Sequence, residues 1–285
     1  MRRTTTKISL LTFALSIISI LMPAYVFKNQ TAAAEEKIVS VSGTATEVLC
    51  ALGLEKNIIG VDVTSTYPAS VQKLPKVGHN RSLNAEGILS LGPTLVVGME
   101  EEFKPELKIQ LEKAGIKVKL FKMEYTAQGS KNLITSMAAY FGKTSVGETL
   151  IKEIDQDLAK VKKSKNPKKV LFIYARGAGT MMVAGKNTSL ERIIELAGGK
   201  NAVTGFEEFK PLTAESLVAA NPDAILLFTS GLESLGGMDG FLKIQGVLQT
   251  NAGRNKKVIE MDGQYLSGFG PRVGKAAAEL ATKLQ

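Results

Sequence analysis

The feature that most constrains this chain is an internal repeat. The segment Leu83-Asn84-Ala85-Glu86-Gly87-Ile88-Leu89-Ser90-Leu91-Gly92-Pro93-Thr94-Leu95-Val96-Val97 returns in altered form as Leu212-Thr213-Ala214-Glu215-Ser216-Leu217-Val218-Ala219-Ala220-Asn221-Pro222-Asp223-Ala224-Ile225-Leu226. Glu86 and Glu215 lie 129 residues apart (215 − 86). Each copy reads as N-cap, short helix, proline and buried strand. Asn84 and Thr213 carry the side-chain oxygen that an N-cap needs. Pro93 and Pro222 stop the helix and favour an extended chain beside them. Glu47 to Asn57 also pairs loosely with Glu191 to Asn201, both ending in Lys-Asn after an apolar helix. A repeated helix-strand unit predicts two similar lobes.

The element order supports this. Lys37 to Ser42 reads as a strand, Thr46 to Leu52 as a helix ending near Gly53, and Ile58 to Val63 as a strand. In the second half, Lys169 to Tyr174 reads as a strand and Ser189 to Ala197 as a helix stopped by Gly198-Gly199. The β-α-β order in both halves predicts an α/β fold with mostly parallel central sheets. Between the halves, Val146, Leu150, Ile154, Leu158 and Val161 fall at helical spacing within Thr144 to Lys163. We read this as one long linker helix. The predicted divisions are a leader over 1–34, an N-terminal lobe over 35–142, the linker over 143–166 and a C-terminal lobe over 167–285. A ligand is expected in the cleft between the lobes.

Residues 1–34 have the layout of a secretory signal peptide. Arg2, Arg3 and Lys7 precede the apolar run Ile8 to Val26, and Ala32-Ala33-Ala34 supplies small residues for cleavage. The competing reading is an uncleaved anchor, since the run approaches the length of a spanning helix. Pro23 and the small-residue tract favour cleavage. The one cysteine, Cys50, lies in an amphipathic stretch beyond the apolar run, so no lipid anchor is expected. An exported chain without an anchor is retained most simply by a second membrane, which predicts a Gram-negative periplasm.

Composition narrows the chemistry. Removing residues 1–34 removes four cations and no acid, so the net charge falls from +9 to 9 − 4 = +5. Nucleic-acid binding calls for a clustered basic stripe. The densest run, Lys160 to Lys169, reads as a solvated helix end and linker, so no nucleic-acid partner is expected. With one His and one Cys, the chain has too few ligands for a four-ligand Cys/His zinc site or a three-His site. It cannot form an internal disulfide, and a hydrolase would have only His79 as its base. No G-x-S-x-G elbow surrounds a serine, so an enzyme is not expected.

His79 lies in Val77-Gly78-His79-Asn80-Arg81-Ser82-Leu83, a loop between Pro75 and the Asn84 cap. Neutral imidazole binds iron, zinc, copper or nickel. Arg81 offers a planar fork to a carboxylate. Arg176-Gly177-Ala178-Gly179-Thr180-Met181-Met182 follows a strand, and its glycines would let the backbone approach a flat ligand. Gly231 to Met238 and Tyr265 to Arg272 form two more glycine-rich, apolar loops. Each of these is otherwise an ordinary connection.

Together these segments are familiar. Val77-Gly78-His79-Asn80-Arg81-Ser82-Leu83-Asn84-Ala85-Glu86-Gly87 resembles the pattern V-G-Y-x-R-x-L-S-A-E-G of the periplasmic haemin-binding proteins of ABC transporters (HmuT type). Gly60 to Pro68, Met182 to Gly185, Gly231 to Gly237 and Asp262 to Arg272 resemble that family too, so the likeness spans about residues 37–285. The resemblance implies two α/β lobes on a helical backbone and haem as the ligand. It implies a monomer that delivers haem to a permease dimer in the inner membrane. The family's tyrosine ligand falls at His79 and its partner arginine at Arg81. Arg176, Tyr265 and Arg272 are expected to contact haem, the arginines at its propionates. Glu86 and Glu215 match the acidic residues, one per lobe, that dock on permease arginines. The departure is His for Tyr at position 79. His79 then ligates the iron in place of Tyr, or Tyr265, Tyr174, Met181 or Met238 takes over, or the ligand is not haem. The rival ligands are an iron-siderophore and cobalamin.

Overall fold

Short apolar strands separated by helices pair side by side in the same direction, because a parallel return needs a crossover. Residues 36–162 and 164–285 are described by a computed structural model, so the predicted leader over 1–34 lies outside the described residues. The first part runs β1 (Ile38–Ser40), α1 (Gly43–Ala51), β2 (Ile58–Val61), α2 (Ala85–Leu89), β3 (Leu95–Met99), α3 (Pro105–Lys113), β4 (Lys117–Phe121), α4 (Ala127–Tyr140) and α5 (Thr144–Leu158). Its four strands form a wholly parallel sheet in the order β2-β1-β3-β4.

The second part runs β5 (Lys169–Ala175), β6 (Met181–Ala184), α6 (Ser189–Leu196), β7 (Lys200–Asn201), β8 (Phe209–Pro211), α7 (Ala214–Ala220), β9 (Ala224–Phe228), α8 (Thr229–Ser234), α9 (Gly237–Leu242), α10 (Asn251–Arg254), β10 (Val258–Met261), α11 (Gly263–Ser267) and α12 (Val273–Leu284). Its sheet has the order β10-β9-β5-β6-β8, with β7 also paired to β5. Strands β10, β9, β5 and β7 are parallel, whereas β6 pairs antiparallel with both β5 and β8. The short glycine-containing turn between β5 and β6 allows only an antiparallel return, which is why this edge departs from the expected parallel pattern.

The repeat is physical. Asn84 Oδ1 accepts the Gly87 N–H at 2.8 Å at the start of α2, and Thr213 Oγ1 accepts the Ser216 N–H at 3.1 Å at the start of α7. Ser216 Oγ returns the bond to the Thr213 N–H at 3.2 Å, completing a capping box. Each short helix leads through its proline into a buried strand, β3 or β9.

Helix α5 packs between α4 and α12. Ile154 is buried on it, and Leu150 and Leu158 pack against the core as their spacing predicts. Val146 instead stays exposed, and the helix ends at Leu158, short of the predicted Lys163. Lys160, Lys162, Lys163 and Lys165 follow, and like charges at helical spacing oppose a further turn. Helix α12 crosses so closely that a Cβ on Gly274 would meet the Ile154 carbonyl oxygen at 2.7 Å. One buried cluster runs through both sheets. It joins Ile38, Val97 and Phe121 to Phe172 and Leu226 through Met137, Ile154, Ala276 and Leu280. Burying each large apolar side chain contributes roughly 1.5–3 kcal/mol, so this shared core couples the lobes. No described helix is long and apolar enough to cross a membrane.

Candidate ligand-binding site

His79 is placed by the strand beside it. Residues 75–78 run along β2: Val61 N–H donates to Pro75 O at 3.0 Å, Val77 N–H to Val61 O at 3.0 Å, and Val63 N–H to Gly78 O at 2.9 Å. Val77 is buried and anchors the run. Gly78 then takes φ +106°, a conformation that side chains other than glycine's rarely adopt, and turns the chain out. His79 follows, half-buried, as the N-cap of a 3-10 turn over Asn80–Ser82. Its Nδ1 accepts the Arg81 N–H at 3.2 Å. In neutral imidazole that places the ring proton on Nε2. The Arg81 guanidinium is exposed two residues on.

A second group of residues forms a seam between the lobes. Glu47, on α1, is almost fully buried and meets Arg272, which precedes α12. Arg272 Nε donates to Glu47 Oε1 at 2.9 Å and Nη2 to Oε2 at 2.7 Å. The guanidinium lies 3.5 Å from the Tyr67 ring centre and 4.9 Å from that of Tyr265, a position favourable for cation–π attraction on both sides. Gln264 completes the seam. Its Oε1 accepts the Thr66 N–H at 2.8 Å and the Tyr67 N–H at 3.1 Å, while its Nε2 donates to Gly43 O at 2.8 Å. Thr44 Oγ1 donates to Gly268 O at 2.7 Å nearby.

Of the residues expected at a ligand, His79 and Arg81 therefore share one loop, and Tyr265 and Arg272 share the seam. Arg176 is exposed in the β5–β6 turn, with its guanidinium 5.7 Å from the Tyr174 ring centre. No hydrogen bond, ion pair or ring contact among the described residues joins His79 to Arg176, Tyr265 or Arg272. Burial, and then the charge of Glu279 and a hydrogen bond to it, hold the Tyr265 phenol well above its ordinary range, which opposes a phenolate there. Met181 and Met238 are both half-buried. Glu86 and Glu215 are exposed in the first turns of α2 and α7, and neither forms an ion pair among the described residues. Burial, with Glu55 and Glu47 nearby, pushes the Cys50 thiol up to about 12, so it stays protonated.

Sequence reasoning missed Glu47, Gln264, Glu102 and Tyr125. Glu47 left one trace, an acid inside an otherwise apolar helical run. Tyr125 is partly exposed and meets buried Phe269 edge-on across the lobes, with ring centres 5.6 Å apart. Burial and then the Glu102 and Glu101 carboxylates raise its phenol, while Arg81 opposes them. An apolar cavity of about 250 Å³ also lies in the second lobe, lined by Leu171, Val183, Val203, Phe206, Leu212 and Leu217 among others. Its lining includes none of the expected ligand residues.

The comparisons with known proteins agree with this architecture. The periplasmic heme-binding protein RhuT from Roseiflexus sp. RS-1 is 40% identical, with a TM-score of 0.83 over 88% of this chain and 98% of that one. An uncharacterised ABC transporter substrate-binding lipoprotein, YvrC of Bacillus subtilis (strain 168), is 28% identical over 87% of this chain and 80% of its own length. The vitamin B12-binding protein of Vibrio vulnificus (strain CMCP6) is 24% identical over 85% of this chain and 87% of its own. Residues 38–265 match the family described as periplasmic binding protein. The chain therefore belongs to the periplasmic binding protein family, as a substrate-binding component of ABC transporters and not an enzyme.

Proposed function

We propose that this protein captures haem in the periplasm and delivers it to an inner-membrane ABC permease. The observation that carries the reading is the His79-x-Arg81 loop, half-buried and turned out of the first sheet by Gly78. By its sequence resemblance to haemin-binding proteins, this loop is expected to hold the positions of their tyrosine and arginine. The name of the 40%-identical RhuT supports the same ligand. Iron at Nε2 requires the ring proton to move to Nδ1, so the Arg81 N–H bond to Nδ1 opens on binding. Arg176 is free to meet one propionate, and Nη1 of Arg272 is the donor left over after Glu47 takes Nε and Nη2. Tyr265 serves as an aromatic wall that holds Arg272.

A cleaved leader over 1–34, without a lipid anchor, releases the mature chain as a monomer. The divisions over 35–142, 143–166 and 167–285 then act as two lobes and their linker. Glu86 and Glu215 present equivalent charges on equivalent helices, which suits a two-fold permease dimer. Reversing both charges is expected to abolish haem transport in cells and leave haemin affinity unchanged. A fall in affinity would instead place these residues in the pocket or the fold.

The relatives named vitamin B12-binding proteins favour cobalamin as the second reading. Parallel titrations of apo-protein with haemin and with cyanocobalamin, followed by absorbance, separate the two. A saturable Soret shift with haemin alone supports haem, and a saturable change with cyanocobalamin alone overturns it.

A further inference from the structure

The segment 62–67, just after β2, joins the two groups of expected ligand residues. At one end the Val63 N–H donates to Gly78 O at 2.9 Å, one residue before His79. At the other end the Thr66 and Tyr67 N–H groups donate to Gln264 Oε1 at 2.8 and 3.1 Å, and the Tyr67 ring lies against Arg272. Tyr67 is four positions after Val63, so their Cα atoms are at most about 14 Å apart. One flat macrocycle can therefore reach from the His79 run to the Arg272 stack.

This segment is pinned from beneath. Asp62 is fully buried, and its Oδ2 accepts the Thr64 N–H at 2.9 Å and the Thr64 hydroxyl as well. Ser65 Oγ, also buried, donates to Asp62 Oδ1 at 2.6 Å and lies 2.7 Å from the buried Thr46 Oγ1 on α1. The Gly43 N–H donates to Thr64 Oγ1 at 3.2 Å. The polar side chains Asp62 and Ser65 thus face inward, while Val63 and Tyr67 are 47% and 43% exposed. A loop that buries a carboxylate and a hydroxyl and leaves its valine and tyrosine in water inverts the usual arrangement. The Arg272 guanidinium, 3.5 Å from the ring centre, covers one face of Tyr67 and leaves the other uncovered.

We propose that Val63 and Tyr67 are specificity-determining residues that form an apolar wall of the ligand site, with the free face of the Tyr67 ring stacked on a flat tetrapyrrole. Tyr265, Arg272 and Tyr67 already form three layers, and the macrocycle adds a fourth. Stacking of this kind rewards a planar ligand and gives little to a flexible one. The wall rests on the haem reading for its occupant, and its test separates the two.

Tag-free apo-protein labelled with 3-fluorotyrosine is titrated with zinc protoporphyrin and, in parallel, with cyanocobalamin. Both are diamagnetic, and absorbance reports binding. Tyr67→Phe removes one fluorine signal and so assigns it. Zinc protoporphyrin is expected to shift the Tyr67 signal by its ring current, an effect that a residue serving only to hold the seam would not show. Haemin affinity should fall about two- to tenfold in Tyr67→Ala and stay near wild type in Tyr67→Phe. A loss of about fivefold is expected in Val63→Ser. A saturated zinc protoporphyrin complex whose Tyr67 signal has not moved overturns the wall and leaves haem standing, as do unchanged haemin affinities in both Tyr67→Ala and Val63→Ser. A Tyr67 signal that moves with cyanocobalamin alone keeps the wall and rejects haem. Uptake of neither ligand rejects both.

Discussion

The seam around Arg272 and the turn around His79 are built in opposite ways. At the seam every strong group has partners: Glu47 receives two donors from one guanidinium, that guanidinium has two tyrosine rings against it, and Gln264 uses both ends of its amide. At the turn, His79 Nε2 has no hydrogen-bond partner among the described residues, Arg81 is exposed, and the buried Asn80 Oδ1 is left without a partner. Satisfied buried polar networks rigidify a structure, and a buried polar group without a partner costs free energy that calls for a reason. The difference separates a satisfied contact between the lobes from a loop whose polar groups are only partly paired.

Variants can break that distinction. Glu47→Ala leaves the Arg272 cation in a mostly buried seam without its carboxylate, and removing one partner of such a pair costs about 3–5 kcal/mol. Denaturant unfolding checks this, and a loss under about 1 kcal/mol would mean that the seam does not hold the lobes. Gln264→Ala leaves the Gly43 carbonyl and the Thr66 and Tyr67 N–H groups without this partner. A loss of about 1–3 kcal/mol is expected by the same method.

Glu102, in the turn after β3, should respond in the other direction. Burial raises the Glu102 carboxyl above its ordinary 4.5, with Asn80 and Ser42 only partly offsetting it. Its folded pKa thus exceeds its unfolded one, and the native state binds more protons than the unfolded state between them. Stability then falls as pH rises through that window and stays lower above it. Glu102→Gln removes this loss. Its Tm should exceed that of wild type at pH 7, with the gap closing below about pH 4. A gap that persists in acid would assign the gain to the amide's hydrogen bonds alone.

Much of the frame was legible because its signals are local. The N-caps at Asn84 and Thr213, the prolines after them and the glycines closing α1 and α6 each act within a few residues. Even the early end of α5 has a local cause in the lysines that follow it. The seam had no such signal. Glu47 and Arg272 lie 225 positions apart, as do Gln264 and Thr66 at 198, and only the folded chain brings them together. Nothing near Arg272 in sequence marks Glu47 as its partner.

The most direct measurement is a haemin titration of tag-free wild type and His79→Ala, followed by absorbance in ferric and ferrous states. His79 is half-buried in a turn, so its removal is expected to change stability by no more than about 0.5 kcal/mol. Wild type should show a saturable Soret shift, and the variant should lose it or bind with a displaced band and weaker affinity. A Soret band in His79→Ala identical in position and affinity to that of wild type would contradict His79 as the iron ligand.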